Sequence, residues 1–139
     1  MYMSNSYQRD IGELVRIVAD TDQFFSLNGI NHSLRMVVDL ATEELFVNMV
    51  KYNTETQSLI RIEMLHIENG IEVSLTDYDV ERFDPTRAPA VDINANLAER
   101  SPGGLGIYLV LKMTDSIQYE YAGRESRVTF RKKADHSNV

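Results

Sequence analysis

The hydrophobic period of this chain changes near its middle, and that change restricts the fold more than any other feature. Up to Tyr52, apolar residues recur about every three or four positions, which is the period of one helix face. From Ile60 they alternate with polar residues, which is the period of a half-buried strand. A second pair of alternating segments follows near the end of the chain. The pattern therefore predicts helices packed on antiparallel hairpins.

Two helices are predicted before the period changes. The first covers residues 11–27, with Asp10 as its N-cap and Gly29 as its stop, although residues 14–18 also fit a strand. Its apolar positions are Ile11, Leu14, Val15, Val18 and Phe25. The second helix begins after Asn31 or Ser33, either of which could cap it. Its stripe consists of Leu34, Val37, Val38, Ala41, Leu45, Asn48, Met49 and Tyr52.

Two hairpins and a third helix complete the prediction. The first hairpin alternates at 60–64 and 71–75, and the pair Asn69-Gly70 between them is typical of a type I′ turn. Residues 78–102 have little periodicity and read as a long loop. A helix from Leu105 to Met113 follows, and then a hairpin of residues 117–121 and 127–131 across Gly123. We expect one domain, residues 1–139, with an α+β fold: a two-layer sandwich whose antiparallel-rich mixed sheet is covered on one face by helices.

Composition excludes several classes of function. With 14 basic and 21 acidic residues the net charge is −7, which argues against direct nucleic-acid binding. The longest apolar run, Ile107 to Leu111, is far short of the roughly 20 residues that span a bilayer, so we expect no membrane segment. The first ten residues hold no apolar signal core. The absence of cysteine excludes disulfides and thiolate sites and fits a reducing compartment, and we therefore expect a cytoplasmic protein.

Two polar residues interrupt the apolar faces. Asn48 lies in the stripe of the second helix, one turn after Glu44, so both side chains share a face beside the sheet. The alternative is an Asn satisfied by backbone groups and a solvated Glu. Asp77 continues the inward alternation of its strand and lies at the strand end. It either caps the next loop or accepts a hydrogen bond from a ligand amino group.

A glycine-rich segment precedes the third helix. It reads Ser-Pro-Gly-Gly-Leu-Gly over residues 101–106. Glycine allows a close approach of backbone to a ligand, and a helix N-terminus offers free N–H groups to phosphate. The segment is not a P-loop, because no Lys-Ser/Thr pair follows the glycines.

Taken in order, these motifs resemble those of the GHKL superfamily of ATP-binding proteins, which includes gyrases, heat-shock chaperones, histidine kinases and mismatch-repair ATPases. The order is Glu44-x-x-x-Asn48, then Asp77, then Phe83-Asp84-Pro85, then the glycines before the third helix. Within the superfamily, the short chain is similar to the bacterial anti-sigma-factor serine kinases. The resemblance covers about residues 8–133 and implies a Bergerat-type ATP-binding fold.

The resemblance also implies a role for each motif. Glu44 would be the general base, Asn48 the Mg²⁺ ligand, and Asp77 the acceptor for the adenine amino group of ATP. Lys51 would reach phosphate. Phe83 would begin an ATP lid over about residues 78–106. The glycine box that closes over the phosphates would be Gly103, Gly104, Leu105 and Gly106.

The implied function is that of an ATP–Mg²⁺-binding anti-sigma factor with protein serine/threonine kinase activity. Such a protein sequesters a sigma factor or similar client, phosphorylates a Ser of an anti-anti-sigma antagonist, and forms a homodimer. Asp79 stands where the family has a glycine, and Tyr52 where the serine kinases usually have His. The first departure favours an alternative, a non-catalytic partner-switching module with weak or no nucleotide binding. A histidine-kinase ATPase domain is a further alternative.

Overall fold

A computed structural model describes residues 1–82, 84 and 104–134 of the chain. Its five strands form a sheet in the order β1-β2-β3-β5-β4, and every pairing between neighbours is antiparallel. The strands are β1 Tyr2–Tyr7, β2 Ile60–Ile67, β3 Gly70–Tyr78, β4 Ser116–Ala122 and β5 Glu125–Lys133. The helices are α1 Leu14–Asn28, α2 Arg35–Tyr52 and α3 Gly104–Met113. The α+β architecture predicted from the sequence is confirmed.

The helix α1 forms as predicted but turns a different face inward. Asp10 accepts a hydrogen bond from the Gly12 amide, and the left-handed Gly29 (φ 61°) ends the helix. The buried residues are Ile17, Thr21, Phe24 and Phe25. Val15 is 80% exposed and Val18 is also exposed, so the predicted apolar face was wrong in this half of the helix. Both faces carry apolar residues here, and the position of the sheet decides between them.

The helix α2 is close to its predicted limits. Asn31 accepts from the Ser33 amide and opens a short 3₁₀ turn that leads into the helix. The predicted stripe is buried from Leu34 to Met49. Tyr52 is the exception, because it is 44% exposed at the last turn, where α2 runs past the core.

The first hairpin turn lies one residue earlier than predicted. Ile67 pairs with Gly70, so the first loop is Glu68-Asn69, with Asn69 left-handed (φ 62°), and not the predicted Asn69-Gly70. Gly70 is instead the first residue of β3. A Cβ there would collide with the backbone of Lys132 on β5, which excludes any other residue without a backbone shift. The second hairpin has positive φ at both Gly123 and Arg124, as a type I′ turn requires.

A strand precedes α1 and forms one edge of the sheet. This strand, β1, pairs with β2 along its whole length. Tyr7 pairs with Ile60, Ile60 with Asp77, and Asp77 with Ser126. These four residues form a row across the sheet, and all four are buried. The row places the end of β1 two strands away from Asp77.

No helix in the described part of the chain is long and apolar enough to cross a membrane.

Candidate functional site

Asp77 is fully buried at the end of β3 and is held by two side chains. Arg9 forms a two-pronged ion pair with it: Nη1 donates to Oδ1, and Nη2 donates to Oδ2 at 3.0 Å. Asn53 Nδ2 donates to Oδ2 at 2.7 Å. The inward position of Asp77 was predicted, and its carboxylate is compensated by protein groups.

Arg9 also ties the end of α2 to the sheet. Its Nη2 donates to the carbonyl oxygens of Met49 (2.9 Å) and Asn53 (3.0 Å), and the side chain is only 9% exposed. A cation at the C-terminus of a helix is favoured, because it satisfies free carbonyls and complements the helix dipole. Sequence reasoning missed Arg9. No local sequence signal marks it, because the row across the sheet that brings the end of β1 near Asp77 depends on pairing between distant strands.

Glu44 is half-buried on α2 and lies against the first turns of α3. A Cβ on Gly106 would overlap the Glu44 carboxylate, so the glycine of the predicted glycine box leaves the space that this carboxylate fills. Burial raises the pKa of Glu44 above its ordinary value, and the nearby charge of Glu43 adds to the shift. A carboxyl with a raised pKa beside a helix start is a candidate proton acceptor.

The raised pKa of Glu44 predicts how a neutral replacement changes stability with pH. A carboxyl whose folded pKa is raised binds more protons when folded, so it lowers stability as pH rises from its unfolded pKa through its folded pKa. We therefore expect Glu44→Gln to be more stable than wild type at neutral pH, with the gain disappearing below the ordinary pKa of Glu. Urea unfolding of both proteins between about pH 3, which is below the ordinary pKa of Glu, and about pH 8 measures this. An equal gain at every pH would contradict it.

Asn48 lies one turn after Glu44 on α2 and is 7% exposed. It is buried beside Glu44 on the same helix, as the sequence predicted. Lys51 is exposed and lies near the Tyr52 ring, with Nζ 5.7 Å from the ring centroid. Glu44 and Asn48 thus share one face of α2, whereas Lys51 extends into solvent.

Ser126 is a polar residue that sequence reasoning missed. It pairs with Asp77 across β3 and β5, and its buried Oγ has no hydrogen-bond partner in the described part of the structure. A buried hydroxyl without a partner costs about 1–3 kcal/mol, so the position is suited to a ligand or an ordered water. The alternation of Val128 and Phe130, extended back by two residues, places Ser126 on the inward face of β5 and could have found it. Its pairing with Asp77 is seen only in the register of the sheet.

Asp79, which replaces the family glycine, adopts the left-handed conformation that a glycine would favour (φ 55°). Its Oδ1 accepts from Arg124 Nε at 3.0 Å, and its side chain is 69% exposed. The sequence predicts added bulk and negative charge beside the nucleotide. In the structure this carboxylate is paired with Arg124 in solvent.

Part of the predicted site lies outside the described residues. Phe83, Gly103 and most of the expected lid over 78–106 are in this group. Gly104 and Leu105 are described only as the first residues of α3.

A methyl group at position 106 tests the contact between α3 and Glu44. Replacing Gly by Ala inside a helix normally stabilises it by about 1 kcal/mol. Here the added Cβ would meet the mobile end of Glu44, so we expect Gly106→Ala to fold and to displace the carboxylate. The raised pKa of Glu44 should then return toward its ordinary value, as measured by carboxyl NMR titration. Gly12→Ala is the control, because a Cβ there would make only ordinary contacts. An unchanged Glu44 titration in Gly106→Ala would contradict the contact.

Comparison with known proteins identifies the family and supports the fold. Residues 8–132 match the family model of the histidine kinase-like ATPase domain. The fold is similar to the RsbU and RsbW domains of Rv1364c from Mycobacterium tuberculosis, with a TM-score of 0.66, 12% identity, 96% of this chain covered and 32% of that chain. It is also similar to the Acinetobacter baumannii histidine kinase AdeS, with a TM-score of 0.51, 13% identity, 95% of this chain covered and 68% of that one. This chain thus spans about a third of the first structure. No curated protein sequence matches it.

Proposed function

Because this chain belongs to the histidine kinase-like ATPase domain family, we propose that it binds ATP with Mg²⁺ and acts as an anti-sigma-type regulatory kinase. In this proposal it sequesters a sigma factor or similar client and phosphorylates a Ser of an antagonist protein. The fold similarity to a structure that contains an RsbW domain supports the choice of this class. The exposed apolar side chains of Ile11, Val15 and Leu27 support a protein interface on or near α1, and a homodimer is the partner we propose for it.

The arrangement of Glu44, Asn48 and Gly106 is the observation that carries the proposal. Because Gly106 has no side chain, the start of α3 can pack directly against the Glu44 carboxylate. Asn48 follows one turn along α2. In this proposal Glu44 accepts the proton of the attacking Ser hydroxyl, and its raised pKa suits that task. The Asn48 side-chain oxygen holds the metal, since Mg²⁺ takes few protein ligands besides phosphate oxygens and water. Bound ATP–Mg²⁺ would supply the phosphoryl group and the charge that neutralises it in transfer.

The residues proposed to bind adenine, Asp77 and Ser126, fit their ligand less completely than Glu44 and Asn48 fit theirs. The Oγ of Ser126, which has no hydrogen-bond partner among the described residues, pairs in register with Asp77 and suits a purine that presents both donors and acceptors. Asp77 itself, however, is fully covered and bonded to Arg9 and Asn53. Adenine recognition by Asp77 therefore requires a neighbouring group to move.

Calorimetric titration with ATP, with and without Mg²⁺, tests the proposed binding directly. We expect Asn48→Ala to fold and to lose Mg²⁺-dependent affinity by about 10- to 100-fold, as the loss of one strong polar contact worth about 1.5–3 kcal/mol predicts. Asn28→Ala is the control, because the Asn28 side chain donates to the Phe24 carbonyl within its own helix α1. Asn48→Ala with wild-type affinity would remove this residue from the site. Wild-type protein that binds no ATP would refute the proposed function.

The occupied Asp77 favours a second candidate, a partner-switching module that controls its client without nucleotide. Arg9 satisfies the acceptor that adenine would use, and Asp79 replaces the glycine that lies against nucleotide in the family. Such a module would bind its client equally well with and without ATP. Client binding that depends on ATP–Mg²⁺ would exclude it.

A further inference from the structure

We propose that Arg9 is an internal occupant of the adenine acceptor, so that nucleotide binding requires Arg9 to leave Asp77. This inference rests on the proposed function, because it assigns the adenine contact to Asp77. It adds a conformational latch in which the described structure is the closed state.

The latch depends on Asp77, because protein groups already donate hydrogen bonds to both of its carboxylate oxygens. Oδ1 and Oδ2 each accept from Arg9, and Oδ2 also accepts from Asn53. The residue has no exposed surface, so an incoming amino group cannot reach either oxygen while the neighbours stay in place. The guanidinium of Arg9 and the amino group of adenine both offer N–H donors to a carboxylate. The two donors therefore compete for one acceptor.

Arg9, rather than Asn53, is the group that can move. Asn53 is 3% exposed at the end of α2. Arg9 lies between β1, an edge strand, and the short 3₁₀ turn that begins at Ile11, and its side chain retains some exposure. A cavity of about 500 Å³ is lined by residues on either side of it, including Gln8, Asp10, Asn53 and Gln57. The guanidinium thus has space to withdraw into without unfolding the sheet.

Withdrawal also breaks the bonds between Arg9 and the carbonyl oxygens of Met49 and Asn53. These bonds are to the last turn of α2 and the residue after it, whereas the core residues of the helix, such as Leu45 and Phe46, are fully buried. The movement therefore loosens the end of α2 and leaves the rest of the helix in place.

The closed state lowers the apparent nucleotide affinity by the fraction of molecules that are open. If that fraction is about 0.1–10%, removal of the latch strengthens binding by about 10- to 1,000-fold. Calorimetry with ATP–Mg²⁺ on wild type and Arg9→Met measures this, after circular dichroism has shown that the variant is folded. Arg16→Met is the matched control, because Arg16 is half exposed and bonds to Glu13 and to the Ser6 carbonyl. If Arg9→Met does not fold, Arg9→Lys keeps a positive charge beside Asp77 but lacks the two-pronged geometry, and it should also bind more tightly than wild type.

Each outcome decides between the latch and the proposed function. Measurable ATP binding by wild type that becomes tighter in the Arg9 variant, with Arg16→Met unchanged, supports the latch. Equal binding by wild type and the folded Arg9 variant leaves the proposed function standing and overturns the latch. Failure of wild type and of the folded variant to bind ATP overturns both.

Discussion

Glu44→Gln is expected to reduce phosphotransfer to the antagonist by about 10²–10⁴-fold, the contribution of a general base, while ATP–Mg²⁺ binding changes little. The amide keeps the shape of the side chain but cannot take the proton of the attacking hydroxyl. Glu68→Gln is the matched control, since Glu68 is exposed in the loop between β2 and β3, away from the candidate site. Labelled ATP and an antagonist obtained by pull-down provide the assay.

Two results would contradict this role for Glu44. If Glu44→Gln transfers phosphate at the wild-type rate, Glu44 is not the general base, although the kinase activity itself stands. Wild-type protein that binds the antagonist but transfers no phosphate would refute the kinase assignment and favour the non-catalytic module.

Asp77→Ala should destabilise the fold by about 3–5 kcal/mol, because removal of one partner leaves a buried charge uncompensated. Arg9 would remain nearly buried with no carboxylate beside it. Asp79→Asn is the control: it removes the charge of a second Arg–Asp pair only two residues away, and because that pair is exposed we expect little loss of stability. Urea unfolding gives both values from the shift in midpoint at unchanged slope. Similar small losses in the two variants would show that the Arg9–Asp77 pair does not stabilise the fold.

Much of the fold was predictable because its signals are local. Caps at Asp10 and Asn31, the stop at Gly29 and the alternation of β2 and β3 each depend on a few neighbouring residues. The errors arose where a distant element decides. The inward face of α1 depends on where the sheet lies, and the turn before β3 depends on how closely Gly70 approaches β5.

Some residues of the candidate site could likewise be predicted from local signals, whereas others depend on distant elements. The positions of Glu44, Asn48 and Asp77 follow from helix and strand periods, and the structure buries Asn48 and Asp77 and half-buries Glu44. Arg9 and Ser126 join them only through pairing between strands far apart in sequence. Local pattern carries no information about that register, so the partner of Asp77 could not be predicted.

The separation of 68 residues between Arg9 and Asp77 has a consequence for the order of folding. The β2–β3 hairpin closes a two-residue loop and can form early, whereas β1 must wait for β2 to be synthesised and then close a long loop. Until β1 docks, Asp77 lies at the end of an incomplete sheet as a hydrated anion. We expect docking of the first strand to be a late step, and destabilising changes at Arg9 to accelerate unfolding much more than they slow refolding.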